Sequence, residues 1–208
     1  MLGSVLDDVF YFIGDNVYSL TGEDLYAMKR EFYKKSAEYM GHSKNLTGVT
    51  ELLTSMYLKQ FLKEKDLPLG LEPSATRAGE NGQVNEVDIA FIVPESKKII
   101  VGFSIKNEIG TTDWKKHELN SDYCQHLRNN YGKKNLAQDL FRLENIKRGS
   151  HGSFNSFTVI FEPVKTNDLK IMNKIKRDFP NHTYIVLAGG KQPLWNLFEG
   201  GLQNVNNK

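Results

Sequence analysis

Two short segments in the middle of the chain carry carboxylates, a hydroxyl and an ammonium at spacings that can bring them together. Glu86 and Asp88 stand in Val-Asn-Glu-Val-Asp-Ile-Ala-Phe-Ile-Val-Pro (84–94), and Ser104 and Lys106 in Lys-Ile-Ile-Val-Gly-Phe-Ser-Ile-Lys-Asn (98–107). Both segments are rich in Val, Ile and Phe and read as strands, and Pro94-Glu95-Ser96-Lys97 between them is turn chemistry, so a hairpin is expected. With the turn centred on Ser96, Val93 faces Ile99, Asp88 faces Ser104 and Glu86 faces Lys106. Directly opposed Cβ atoms lie about 4.5–5.5 Å apart, which would gather the four polar side chains at one end of an apolar hairpin. Such a cluster suits metal-assisted phosphodiester hydrolysis. The carboxylates would hold Mg²⁺, which prefers oxygen ligands, and the lysine would orient the attacking water or balance charge on the phosphate. The plainer alternative is a Glu86–Lys106 salt bridge at the wet end of the hairpin.

The elements that must position this cluster follow from periodicity. Leu25, Met28, Phe32 and Met40 predict a helix over 22–40, with Thr21 and Asp24 as its capping pair. A second helix is expected over 48–64, with Val49, Leu52, Leu53, Met56 and Leu62 on its core side, ended by Pro68 and Gly70. A weak extended piece near 70–77 precedes the hairpin. After it come a polar stretch, a helical region over 122–147 with a break at Gly132, a strand over 156–162, a helix over 166–178 and a strand over 183–188. A mixed β-sheet flanked by helices, an α/β fold, accommodates this order. Without repeats or Pro/Ser-rich linkers, residues 1–208 read as one domain, with an N-terminal helical part (1–45) and an α/β core (46–190).

Here the sequence resembles the PD-(D/E)xK, or restriction-endonuclease-like, nucleases. That superfamily places a helix, a three-strand meander, a helix and a further strand in order, with a metal-binding Asp on the second strand and an acid-x-Lys triplet on the third. Asp88, fifteen residues and Ser104-Ile105-Lys106 occupy those places, and Glu51 matches the family's frequent helix carboxylate. A Glu in a first helical turn is equally favoured by the helix dipole, with Gly48 as N-cap. Val87 replaces the proline before Asp88, and Ser104 stands where an acid usually does. One branch, the restriction enzymes that read CCGG-core sites, has Ser-x-Lys and takes the acid from the following helix. It is similar around Ser121-Asp122, Gln125, Arg128 and Phe161-Glu162-Pro163, but its helix acid corresponds to Asn130 here. Glu86, Glu108, Glu118 and Asp122 remain as sources. Strand alternation favours Glu86, on the face of Asp88 and Lys106.

The resemblance implies a Mg²⁺-dependent type II restriction endonuclease acting on double-stranded DNA. It also implies a homodimer, for which residues 5–40 are the candidate surface. Asp88, Glu86 and Glu51 would hold the metal, Lys106 would align the water, and Ser104 would take the usual acid's place. The alternative is a DNA-binding protein on the same fold that does not cut. Lys115, Lys116, Gln125, Arg128, Asn129 and Asn130, which follow the cluster and mix basic with amide side chains, are the DNA-facing candidates. Charge points the same way: residues 1–114 sum to −5 and residues 115–208 to +7.

Other classes are disfavoured. At 39% hydrophobic and 25% charged residues the composition is globular, and no apolar run approaches a membrane span, so a cytoplasmic protein is expected. The five histidines lack paired zinc-ligand spacing, and a lone Cys124 forms no internal disulfide. Gly189-Gly190-Lys191 lacks the spacing of a phosphate loop.

Overall fold

A computed structural model describes residues 2–41, 48–111, 122–132 and 134–202. The Val/Ile/Phe-rich segments form β2 (Val84–Ile92) and β3 (Ile99–Lys106), an antiparallel pair at the centre of a five-stranded sheet. β1 (Gly70–Ala78) lies antiparallel to β2, whereas β4 (Asn155–Ile160) and β5 (His182–Val186) run parallel to β3 and to each other, in the order β1-β2-β3-β4-β5. Pro73 and the left-handed Ser74 (φ 48°) interrupt β1, which blunts an exposed edge against pairing with another chain. The helices among the described residues are α1 (Leu2–Asp15), α2 (Gly22–Met40), α3 (Val49–Glu64), α4 (Asp122–Tyr131), α5 (Asn135–Ile146), α6 (Thr166–Asp178) and α7 (Leu194–Leu202).

Each face of the sheet has its own apolar layer. Ile89, Phe91, Val101, Phe103, Ile105, Phe157 and Val159 pack with Leu53, Tyr57 and Phe61 of α3 and Phe198 of α7. On the other side α4, α5 and α6 close over Ile160 with Leu127, Leu136, Leu140, Phe141, Met172 and Ile175. Gly102 lets α5 approach β3: a Cβ there would lie 2.9 Å from the Phe154 ring and 3.3 Å from Leu143. The sequence thus folds as a mixed α/β layer structure. Thr21 caps α2 as expected, its hydroxyl accepting from the Asp24 N–H while the Asp24 carboxylate accepts from the Thr21 N–H at 2.8 Å.

Three expectations need correction. The β2–β3 register holds from Ile89 opposite Phe103 to Phe91 opposite Val101, but a one-residue shift then sets Ile92, not Val93, opposite Ile99. A residue is absorbed in the bulge beside the turn, where Lys97 adopts φ 56° and its N–H bonds to the Val93 carbonyl. The ladder also stops at Ile89, so Glu86 lies opposite Thr76 on β1 and Lys106 opposite Ile160 on β4, and the expected Glu86–Lys106 pairing does not form. Finally, α7 went unread, although Leu194, Phe198 and Leu202 repeat at helical spacing and are buried. The region 122–147 does break at Gly132, which takes φ 79°, a conformation glycine adopts without steric cost.

The parallel pair β4–β5 carries a polar inclusion on the side of α5. His182 is fully buried, with Nδ1 2.8 Å from the Ser156 hydroxyl and Nε2 3.1 Å from that of Thr158. Lys147 donates to the same Ser156 oxygen at 3.0 Å. Burial, aided by the Lys147 charge, pushes the imidazole pKa from 6.5 down to about 3. The folded state therefore excludes a proton that the unfolded chain binds, and stability falls as pH drops from 6.5 towards about 3. The loss from this one group approaches about 1.4 kcal/mol per pH unit within that window. Urea unfolding at pH 7, 6, 5 and 4 should give a steeper decline for the wild type than for His182→Asn, whose side chain does not titrate.

Candidate active site

The polar cluster forms where β2 and β3 part. Beyond Ile89 the backbone ladder ends, and the Asp88 side chain takes over as acceptor: Oδ2 receives the Ile105 N–H at 2.6 Å and the Ser104 hydroxyl at 3.2 Å. Asp88 and Ser104 are thus brought together as their spacing predicted. Ser104 is buried and spends its hydroxyl on Asp88, so it braces the carboxylate.

Lys106, at the end of β3, reaches α5. Its ammonium lies 3.2 Å from Oδ1 of Asp139, a residue buried to 1% exposure. Arg142, one turn further along α5, places a guanidinium nitrogen 2.6 Å from the same oxygen and 4.0 Å from Oδ1 of Asp88. Asp139 is the functional candidate that sequence reasoning missed, 33 residues after Lys106 and outside every short motif. A signal was present. Its helical neighbours Leu136, Ala137, Leu140, Phe141 and Leu143 form the buried face of α5, and a carboxylate amid such a face must find charged partners. Among the described residues, Oδ2 of Asp139 and Nε of Arg142 are both buried without a hydrogen-bond partner.

Glu51 and Glu86 border this centre from α3 and β2. Both reach solvent. Surrounding protein raises the Glu51 carboxyl above its ordinary value, and the negative charges of Asp88 and Glu86 add to this while Lys106 opposes it. The same neighbours act on Arg142: burial opposes its charge, but Asp139, Asp88 and Glu86 together hold the guanidinium ionised. Glu51 follows an N-cap glycine, Gly48, with no side-chain cap, so the helix dipole and the cluster both act on it. Among the described residues, no ion pair joins Glu86 to Lys106, and no three His, Cys, Asp or Glu side chains form a ready-made cation cage.

The remaining candidates lie elsewhere. Gln125, Asn129 and Asn130 are exposed and Arg128 half-buried on α4, where the Gln125 amide donates to Asn129 at 3.2 Å. Lys115, Lys116 and Glu118 fall outside the described residues, Asp122 is an exposed residue at the start of α4, and the Glu108 carbonyl accepts from Asn135. Glu162 instead ties β4 to α2, pairing with the buried Lys29 and accepting from the Tyr26 hydroxyl at 3.1 Å. Burial pushes the Cys124 thiol up to about 11, which keeps it unreactive at neutral pH.

The fold and this cluster define an α/β protein with a carboxylate–lysine centre at the split of two central strands. No protein-family model matches the sequence, and no curated protein matches it significantly. Among solved structures, the crystal structure of protein VC1899 from Vibrio cholerae is similar at 15% identity and a TM-score of 0.46, over 94% of this chain and 57% of that one. The chain therefore spans little more than half the length of that protein. Among the described residues, no helix is long and apolar enough to cross a membrane.

The roles of Ser104 and Asp139 separate by stability. Ser104→Ala removes one of two bonds to Asp88 and should cost about 1 kcal/mol. Asp139→Ala strands Lys106 and Arg142 without their shared partner and should cost about 3 kcal/mol or more, read from urea midpoints at constant slope.

Proposed function

We propose that the protein is a Mg²⁺-dependent DNA endonuclease with a restriction-endonuclease-like core, acting as a type II restriction enzyme on double-stranded DNA in the cytoplasm. The observation that carries this reading is the meeting of Asp88, Lys106 and the buried Asp139 at the parting of β2 and β3. The order α3, β1–β3, α4–α5, β4 also agrees with the order of elements that the sequence resemblance implies.

The donor set fits Mg²⁺. Asp88 and Asp139 offer carboxylate oxygens, and Asp139 has a buried oxygen with no partner. Mg²⁺ is commonly bound through one or two carboxylates, with waters and substrate phosphates completing its octahedron, so a three-carboxylate cage is not required. Asp88 and Asp139 would be the principal ligands, with Glu86 and Glu51 adding negative charge at the border of the site. In this reading Asp139, rather than Glu86, supplies the acid absent at Ser104. When bound, the ion would polarise the phosphoryl oxygen and lower the pKa of a coordinated water. Lys106, already held by Asp139, would align that water and offset charge on the phosphate as the P–O bond breaks.

DNA contacts would come from the amide-rich face of α4 and from Lys115 and Lys116 upstream of it. Exposed Lys165 at the start of α6 and Lys170, Lys176 and Arg177 on it extend the positive half of the chain. A homodimer through the N-terminal helices would match a palindromic site, and exposed Val5, Tyr11 and Phe12 on α1 support that surface. The second reading, DNA binding without cutting, draws on the cation already seated between Asp88 and Asp139, Arg142.

Supercoiled plasmid incubated with Mg²⁺ should give discrete fragments that EDTA suppresses. Asp88→Asn, Asp139→Asn and Lys106→Ala should each slow cutting at least about 100-fold while circular dichroism reports a retained fold. Uncut plasmid with a salt-dependent gel shift in Ca²⁺ would instead select the binding protein. Normal cutting by all three variants would exclude this site.

A further inference from the structure

The Arg142–Asp139 contact is incomplete. An arginine and a carboxylate normally pair through two parallel bonds, yet here one guanidinium nitrogen meets one oxygen. The other halves of the pair, Arg142 Nε and Asp139 Oδ2, are buried with no hydrogen-bond partner among the described residues, which costs both groups their hydration. The single nitrogen that does bond is also drawn towards Asp88, 4.0 Å away on a different element. A guanidinium suspended between two carboxylates of different elements occupies the position that a bridging cation would take.

The charge balance adds a second argument. Among the described residues, Glu51, Glu86, Asp88 and Asp139 are matched by Lys106 and Arg142, a formal excess of two negative charges with the guanidinium in place. Exchanging the singly charged guanidinium for a divalent ion lowers that excess from two to one. Arg142 keeps about a quarter of its side chain exposed, whereas Asp139 is enclosed at 1% exposure.

We infer that Arg142 is the resident counter-ion of the Asp88–Asp139 pair and yields its place when a divalent cation binds. The released guanidinium, still on the exposed side of α5, is then free to meet a phosphate of the substrate. Cation and nucleic acid would thereby be coupled through one side chain. Without the cation Arg142 masks the carboxylates, and with it Arg142 becomes an anion-binding group. This inference rests on the metal site proposed above and assigns its regulation.

The test is Ca²⁺ binding to the full chain by calorimetry, which needs no catalysis. Arg142→Gln should bind Ca²⁺ about tenfold tighter than wild type, because one charge-assisted hydrogen bond no longer has to be broken. Its melting temperature without Ca²⁺ should be lower than wild type and should recover on saturation. Arg142→Lys, which keeps the charge on a shorter reach, should lie between the two and serves if the Gln variant does not fold. In the wild type, the Arg142 Nε–H resonance should shift along the same titration, a reading independent of any variant. Equal or weaker Ca²⁺ affinity in Arg142→Gln, or an unmoved resonance during saturation, overturns the exchange while leaving the metal site standing. Absence of Ca²⁺ binding by wild type and Arg142→Gln alike overturns both.

Discussion

A β-ladder that stops at Ile89 and Phe103, short of Glu86 and Lys106, is the constraint on which the centre of this molecule depends. Antiparallel strands normally satisfy their N–H groups with backbone carbonyls, and a buried N–H left open is costly. At the end of the β2–β3 pair the open donor is Ile105, and the acceptor that satisfies it is the Asp88 side chain. One carboxylate thus keeps the two strands connected after their ladder has stopped. The parting leaves β2 aligned with β1 and β3 with β4, so Glu86 pairs with Thr76 and Lys106 with Ile160.

The partner that Lys106 finds instead comes from α5. α5 approaches closely because Gly102 presents no side chain, and it carries Asp139 into a position that Lys106 and Arg142 share. A carboxylate at 1% exposure is tolerable only with such partners, since the desolvation cost of an isolated buried charge exceeds what a single hydrogen bond returns. The same face holds the His182–Ser156–Thr158–Lys147 inclusion, so the layer under α5 and α6 mixes polar networks with an apolar core. The opposite layer, dominated by Phe61, Phe91, Phe103, Phe157 and Phe198, contributes rigidity. One side of the sheet anchors the strands and the other presents chemistry.

The hairpin, the helices at 22–40 and 48–64, the break at Gly132, the helix at 166–178 and the two C-terminal strands were legible because each is a local pattern. Alternation of Val, Ile and Phe marks a strand, spacing of three and four marks a helix face, and Thr21 with Asp24 marks a helix start. Asp88 and Ser104 meet as their spacing predicted because a bulge offsets the shifted register at the turn. The bulge at Phe91/Ile92 was not legible, since a turn of this length accepts either register and packing on both faces chooses between them. α7 was missed because nine residues give a short periodic signal beside Gly189-Gly190.

The sequence by itself determined the elements and the spacing that lets Asp88 and Ser104 meet on neighbouring strands, but not every face, since the bulge puts Ile99 in a different layer from Val101. Only the tertiary structure decided that Lys106 turns to Asp139, that Arg142 lies between two carboxylates, and that Glu86 stays at the margin. Side-chain direction within an element follows from backbone period, a short-range property. Which helix covers which strand depends on packing across tens of residues, where a single glycine in β3 and a single aspartate on the buried face of α5 set the outcome.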